Sequence, residues 1–433
     1  MGSLYVVVYL FVLGSTLGFV WWLAGVDSSE LAVTDEEHIT EAVSSADSSV
    51  VEEGDRVLDS QQDTVKPTEA VQTTPTEVTD TDTDVRTALT EVATITESDL
   101  RTVLAPPENG VYWGAFAGFG PYEETVNQSI IAEFTSLTES EIAWGYFSDN
   151  WFFGIDFPER EVAALVAEGI TPYIRIMPRT DFRKRPGDTP YTLEAIAAGE
   201  FDTELTAWAE AARDTEVPLI VEFGTEVNGN WFPWNGSYHG AGETSFGDPA
   251  LADGPERFIL AYRHLIELFD AVEADNITWV YHANAVSAPD TDWNNVMAYY
   301  PGDTYIDWIG VSVYGAQSAE DPWVDFHTVY APAYQTIVAA TDKPIGIVEF
   351  GVAEGPEPES KAEWLTEAFG SIAGGQYPQT KALAYWHSQF MMDGVDHNLK
   401  LDSSSQSLET TQEQLRRPVF VTELEFAPEP SVR

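Results

Sequence analysis

A (β/α)8 barrel is the fold that three features of this sequence predict. Eight short apolar runs recur between Ala105 and Lys400, amphipathic helical stretches separate several of them, and no glycine-rich phosphate loop follows the first run. The last feature counts against the alternative, a doubly wound open sheet, which carries such a loop at its first strand-to-helix turn.

The runs, in order, are VYWGAF (Val111 to Phe116), EIAWGYF (Glu141 to Phe147), TPYIRIM (Thr171 to Met177) and LIVEF (Leu219 to Phe223), followed by ITWVYH (Ile277 to His282), WIGVSVY (Trp308 to Tyr314), PIGIVEF (Pro344 to Phe350) and ALAYW (Ala382 to Trp386). Each is short and rich in β-branched and aromatic residues, as a strand covered on both faces requires. Between them, EREVAALVAEG, DTELTAWAEAARD, PERFILAYRHLIELFDAVEA and ESKAEWLTEAFGSIAG carry apolar residues at helical spacing. The barrel is assigned to 105–400. The remainder, 401–433, is a tail in which TTQEQLRRP closes the last helix and VFVTELEF either packs as a strand or stays loose.

Two segments of other character come first. Leu4 to Val26 has no charged residue and is long enough to cross a bilayer as a helix of roughly 20 residues, so 1–26 is expected to be a transmembrane anchor. A cleaved signal segment is the alternative, weakened by the missing positive n-region. The next segment, 27–104, is rich in Ser, Thr, Asp and Glu, nearly free of aromatics and without a sustained apolar period; it reads as a disordered acidic stalk.

Asp and Glu outnumber Lys and Arg by 72 to 20, a formal net charge of -52, and the acids are spread over the whole chain. Such a surplus repels itself in dilute buffer and is screened near 1 M salt, where the Debye length is about 3 Å, so a halophilic host is expected. Binding to nucleic acid is excluded as a reading, because the counterion-release contribution would carry the wrong sign. The chain has no Cys, which removes disulfides and thiolate chemistry. Its 7 His residues show no metal-ligand spacing, and neither metal nor other cofactor is expected. Sequon matches at Asn127, Asn235 and Asn276 are of a kind expected by chance.

In a barrel of this kind the active site lies at the C-terminal ends of the strands. The fourth run is followed by Thr225, Glu226 and Asn228. The fifth ends in His282 and Asn284, the sixth in Tyr314, the seventh carries Glu349, and the eighth ends in Trp386 and His387. A Glu in so acidic a chain is by default a solvated surface group. Glu349 departs from that default because it lies inside an apolar strand, where an unpaired charge is costly. Glu226 departs from it through its Asn and Trp neighbours, and Trp231 and Trp234 lie in a Gly/Asn/Pro loop where core packing is less natural. Tyr314 and His282 are either site residues or satisfied polar groups at strand ends. Two Glu residues facing each other across a barrel mouth suit glycoside hydrolysis, one protonating the leaving oxygen and the other staying ionised. Aromatic rings suit the apolar faces of sugars.

The ordered set PLIVEFGTEVNGNWFPWNG, ITWVYHANA, WIGVSVYG, IGIVEFG and ALAYWH resembles glycoside hydrolase family 26 from about Gly110 to His387. The resemblance implies Glu226 as acid/base, Glu349 as nucleophile, Tyr314 as the group orienting the nucleophile, Trp386 as a floor under the sugar and Trp231 as the aromatic of the following loop. Where the family usually reads Arg-x-x-His-Glu, this chain has Glu222 and Thr225 before Glu226. A lost cation and an added inward acid would each raise the carboxyl pKa values, and Arg175 is the candidate to replace the missing charge. The expected protein is a retaining, endo-acting hydrolase of a β-mannan or β-glucan type of polysaccharide, monomeric in its catalytic domain and held outside the cell by the anchor or secreted after its cleavage. A non-catalytic glycan-binding protein on the same fold, a transglycosylase and a surface-layer scaffold are the alternatives.

Overall fold

The computed structural model describes residues 100–120, 123–181, 189–355, 360–392 and 394–431. The apolar segment read as an anchor and all but the end of the stalk lie outside the described residues. Among the described residues no helix is long and apolar enough to cross a membrane.

Eight parallel strands close into a barrel. They are β2 (Val111–Phe116), β3 (Trp144–Asn150), β4 (Thr171–Met177), β5 (Leu219–Phe223), β6 (Ile277–Asn284), β7 (Trp308–Tyr314), β8 (Ile345–Gly351) and β9 (Thr380–Trp386), with β9 pairing back onto β2. Four of the eight apolar runs coincide with their strands. The largest displacement is at β3, which runs on to Asn150 because its polar end is satisfied: Ser148 donates to Glu123 and Asp149 accepts from Trp208.

The helices α1 (Gln128–Thr138), α2 (Glu159–Ala167), α3 (Leu193–Ala197), α4 (Asp202–Asp214), α5 (Asp253–Ala271), α6 (Phe326–Ala340) and α7 (Lys361–Ala373) occupy the connections. Side-chain caps fix several starts, as where Ser360 accepts the Glu363 N–H at the head of α7 and Asp325 accepts the Thr328 N–H at the head of α6. Inside the barrel Trp144 lies where a Cβ on Gly114 would come within 2.3 Å of its ring, so only glycine fits at 114.

One strand is irregular at the place that matters most. Between β7 and β8 the register runs Val311 to Ile347 and then Ser312 to Glu349, so Val348 is an extra residue on β8. A bulge of this kind re-aims the side chains that follow it. Here it sets Glu349 beside Ser312, whose hydroxyl lies within the barrel against His282.

Leu100–Leu104, read as the last residues of the stalk, form β1, which pairs antiparallel with β13 (Phe426–Pro430). Two short strands, β10 (Gln389–Met392) and β11 (Val395–Asn398), form a hairpin beyond β9. Helix α8 (Ser405–Leu415) then packs on α1 and α7, and β12 (Phe420–Val421) adds to β2.

β1 lies against the N-terminal ends of β6 and β7. Arg101 donates to Asp307 through both terminal nitrogens, at 2.8 and 3.0 Å, and to the Ile277 carbonyl, and the pair is buried. Breaking such a pair leaves an uncompensated buried charge. Arg101→Ala is therefore expected to lower the unfolding free energy by about 3–5 kcal/mol, measured by urea denaturation.

Candidate active site

The residues past β5 take the shape that Glu226 needs. Gly224 has φ +66 with a neighbouring ring 2.8 Å from where its Cβ would stand, and Glu226 itself has φ 47, a left-handed conformation uncommon for a residue with a side chain. The turn is held from beneath: Trp234 donates to the Thr225 carbonyl, and Asn235 donates to the Val227 carbonyl. Glu226 then accepts two short hydrogen bonds, from the Trp231 indole at 2.6 Å on Oε2 and from the Asn284 amide at 2.7 Å on Oε1. Asn228 orients that amide indirectly, since its side chain bonds both the N–H and the carbonyl of Asn284.

Glu349 is held by three donors. Tyr146 and the Arg175 guanidinium reach Oε1, each at 2.9 Å, and Tyr314 reaches Oε2 at 2.9 Å. Arg175 also pairs with Glu123, in the segment after β2, at 2.8 Å, and its guanidinium lies between the rings of Tyr146 and Trp386, 5.0 and 5.1 Å from their centroids. Trp386 is stacked on Phe116 at 4.0 Å.

Burial pushes the Glu349 carboxyl up to about 7; Arg175 opposes the rise, and the charges of Glu226 and Glu222 add to it. Glu226 lies just past the C-terminal end of β5 and Glu349 near that of β8, so both stand at the same end of the barrel.

Glu222 does point inward. It is fully buried and accepts from Tyr173 at 2.7 Å, from His282 Nδ1 at 3.0 Å on both oxygens, and from Tyr146 at 3.3 Å. Burial would raise its carboxyl, but the charge and hydrogen bond of His282, with Arg175 and Tyr173, hold it below the usual value. Burial would lower His282, and Glu222 outweighs that to raise it. Each partner thus favours the charged form of the other, and His282 is further held by Thr225 on Nδ1 and Ser312 on Nε2. The acid at 222 does point inward and Arg175 does donate to Glu349, but the Glu222 charge adds less to the rise of Glu349 than its partner His282 takes from it. Glu222 itself moves the other way.

Of the residues singled out from the sequence, the structure brings together Glu226, Asn284, Trp231, Asn228, Thr225, His282, Arg175, Tyr314, Glu349 and Trp386. Trp234 is not open to a ligand: it is 2% exposed and stacked on Phe232, and its part is to hold the loop. His387 faces Phe134 and accepts the Leu401 N–H, turned to other partners than the carboxyls. Sequence reading missed Tyr146, Tyr173, Ser312 and Glu123. The signal for Tyr173 was its two-residue spacing from Arg175, which puts both on one face of β4.

Residues 195–361 match the model for glycosyl hydrolase family 26, so the family resemblance read from the strand-end motifs holds. Endoglucanase H of Acetivibrio thermocellus is 29% identical over 226 residues, 52% of this chain and 23% of that protein. A mannan endo-1,4-beta-mannosidase of Bifidobacterium adolescentis is 27% identical over 164 residues, 36% of this chain and 15% of that one. The matched part of the chain thus spans less than a quarter of the length of either relative. Among solved structures, a modular endo-beta-1,4-mannanase from Cellulomonas fimi superposes with a TM-score of 0.50 at 19% identity over 72% of both chains, a likeness of fold.

The Glu222 and His282 shifts have opposite consequences for stability. A depressed carboxyl contributes stability above its unfolded pKa, lost as pH falls through the folded one; a raised His contributes below its unfolded pKa, lost as pH rises through the folded one. The pair's contribution is thus complete between about pH 4.3 and 6.5, the ordinary Glu and His values. Glu222→Gln is expected to cost about 3 kcal/mol at pH 5.5 and less at pH 9, read by urea unfolding at both.

Proposed function

We propose that this glycoside hydrolase family 26 barrel is a retaining, endo-acting hydrolase of a β-linked polysaccharide of mannan or glucan type. The observation that carries the reading is the environment of Glu349, an ionisable group inside an apolar strand that receives Arg175, Tyr146 and Tyr314 while a second carboxyl, Glu226, is oriented at the same mouth by Trp231 and Asn284. A scaffold has no use for so costly a constellation.

Glu349 Oε1 has both lone pairs engaged, by Tyr146 and Arg175, whereas Oε2 has one donor and keeps a lone pair free. Oε2 is therefore the attacking atom. It forms a bond to the anomeric carbon as the bond to the leaving oxygen breaks, and the proton of Glu226 passes to that oxygen. Water then attacks the same carbon, Glu226 takes its proton, and Glu349 departs as carboxylate. Trp386, braced by Phe116, is the surface on which the sugar at the cleavage point rests.

The rival reading, a glycan-binding protein without activity, drew on the loss of the family's Arg and His. Arg175 donating to Glu349, and His282 lying beneath it, favour the enzyme. Localisation outside the cell on the apolar segment 1–26, and a salt-rich setting for the acidic surface, complete the reading. The names of the relatives, an endoglucanase and a mannan endo-1,4-beta-mannosidase, fit a substrate of glucan or mannan type.

The test is reducing-end release by the full chain, in molar KCl, from mannan, mixed-linkage glucan and xylan. Activity on one polymer class is expected, with at least ~10³-fold loss in Glu226→Gln and in Glu349→Gln. Proton NMR of the first product should show the β-anomer; the α-anomer would overturn retention. A folded protein that binds a polymer without releasing ends would favour the rival.

Because Glu349 must be ionised to attack, kcat/KM should fall as pH drops through about 7. Arg175 stabilises the carboxylate, so Arg175→Gln should move this acid limb to higher pH, by on the order of one unit.

A further inference from the structure

The Tyr146 hydroxyl stands between two carboxylates, 2.9 Å from Glu349 Oε1 and 3.3 Å from Glu222 Oε1, and it has one proton to give. Burial and both carboxylates hold its phenol well above the usual range, so that proton stays on the oxygen and can only change direction. Glu222 takes no direct part in the chemistry above, yet it is a fully buried charge on the same side of the barrel as the nucleophile.

We propose that Tyr146 is a positioning residue that shares its hydroxyl proton between Glu349 and Glu222, so that the Glu222–His282 pair sets how strongly the nucleophile is held as carboxylate. This rests on the hydrolase reading for its consequence in turnover, but not for its test. In the free enzyme the shorter bond goes to ionised Glu349. When Oε2 becomes an ester oxygen, Oε1 turns into a neutral carbonyl, a weaker acceptor, while Glu222 remains an anion. The hydroxyl then turns toward Glu222, and turns back as Glu349 regains its charge on leaving. No proton is transferred; one O–H rotates between two acceptors.

Every charged or titratable group facing the pair belongs to the balance. Arg175 and Tyr173 come from β4, His282 from β6, Tyr314 from β7, Glu226 from beyond β5 and Glu123 from beyond β2, and Tyr262 of α5 feels the Glu222 charge from outside the barrel wall. Tyr173 is the competitor within this set, because its 2.7 Å bond to Glu222 Oε2 lessens the demand of Glu222 for the Tyr146 proton.

Removing Tyr173's hydroxyl should pull the Tyr146 proton toward Glu222 and make Glu349 harder to ionise. Removing the Glu222 charge frees the Tyr146 proton for Glu349, but His282 then loses its own charge, which opposes the rise of Glu349 more than Glu222 adds to it, so this variant is read through what it does to the effect of Tyr146. The experiment is a carboxyl carbon-13 NMR titration of the Glu-labelled full chain, with the Glu349 resonance assigned by its loss in Glu349→Gln. Tyr173→Phe should raise the Glu349 midpoint by about half a pH unit, and that shift should vanish when Tyr146→Phe is added. Tyr146→Phe itself should raise the midpoint by more in Glu222→Gln than beside the native Glu222. A Tyr173→Phe shift that persists without Tyr146, a midpoint unmoved by Tyr173→Phe while Tyr146 is present, or a Tyr146→Phe effect that Glu222→Gln leaves unchanged overturns the proposal. Should Glu222→Gln fail to fold, the Tyr173→Phe pair decides alone, since it keeps the charge and the ring. A protein that hydrolysed no polymer would sink the hydrolase reading and leave this titration readable.

Discussion

An ionised carboxylate inside an apolar strand is the constraint around which this barrel is arranged. Moving a bare carboxylate from water into a protein interior costs several kcal/mol even after relaxation, and the usual outcome is that the group takes up a proton. Glu349 stands at that limit: burial lifts it to about 7, and Arg175 restrains it from rising further. The neighbours follow from the need to keep it usable. Arg175 requires its own anion, Glu123, and two flanking rings; Tyr146 and Tyr314 supply neutral donors that add no charge to be desolvated. Even the strand geometry serves this need, since the extra residue Val348 sets Glu349 level with Ser312.

The second buried anion makes sense on the same terms. Glu222 sits directly across from Arg175 in the β4–β5 register, and its imidazolium partner comes from β6, so the interior carries two cations against the carboxylates of Glu222, Glu349, Glu226 and Glu123. An excess of buried anions raises whichever of them is least well paired. Glu222, with His282 on both oxygens and a tyrosine besides, is well paired and falls; Glu349 is the one that rises. With Glu222 on β5 level with Arg175 on β4, the cation that pairs with Glu349 comes from the strand beside Glu222.

This explains how much the sequence could reveal. Apolar runs of β-rich residues specify strands whatever lies at their ends, and β2, β4, β5 and β7 were legible to the residue. Glu349 was legible because a charge among Ile, Val and Phe contradicts its surroundings, and Arg175 only as the candidate for the cation that the family resemblance found missing. Tyr146 and Tyr173 were not, because a tyrosine in a strand reads as core, and only the partners of its hydroxyl make it polar in function. The bulge at Val348 leaves no mark on composition. Glu123 was hidden among many acids. β1 was hidden because five residues at the end of an acidic stretch acquire their meaning from a partner strand at Phe426–Pro430, far along the chain.

The acidic surface and the acidic interior obey different physics. Charges spread over the outside, which give the chain its net -52, act on one another through solvent and are damped by salt, to a range of about 3 Å near 1 M. Tyr146, Glu222 and Glu349 are all at or near complete burial, so salt screens their mutual effects far less. A chain with this surface can therefore gain external acids with little effect on the Glu349 carboxyl. The Glu349 carboxyl answers chiefly to the groups within hydrogen-bonding distance and the charges next to them. Evolution of the surface and tuning of the site are thus separable, provided that no substitution opens the network to water.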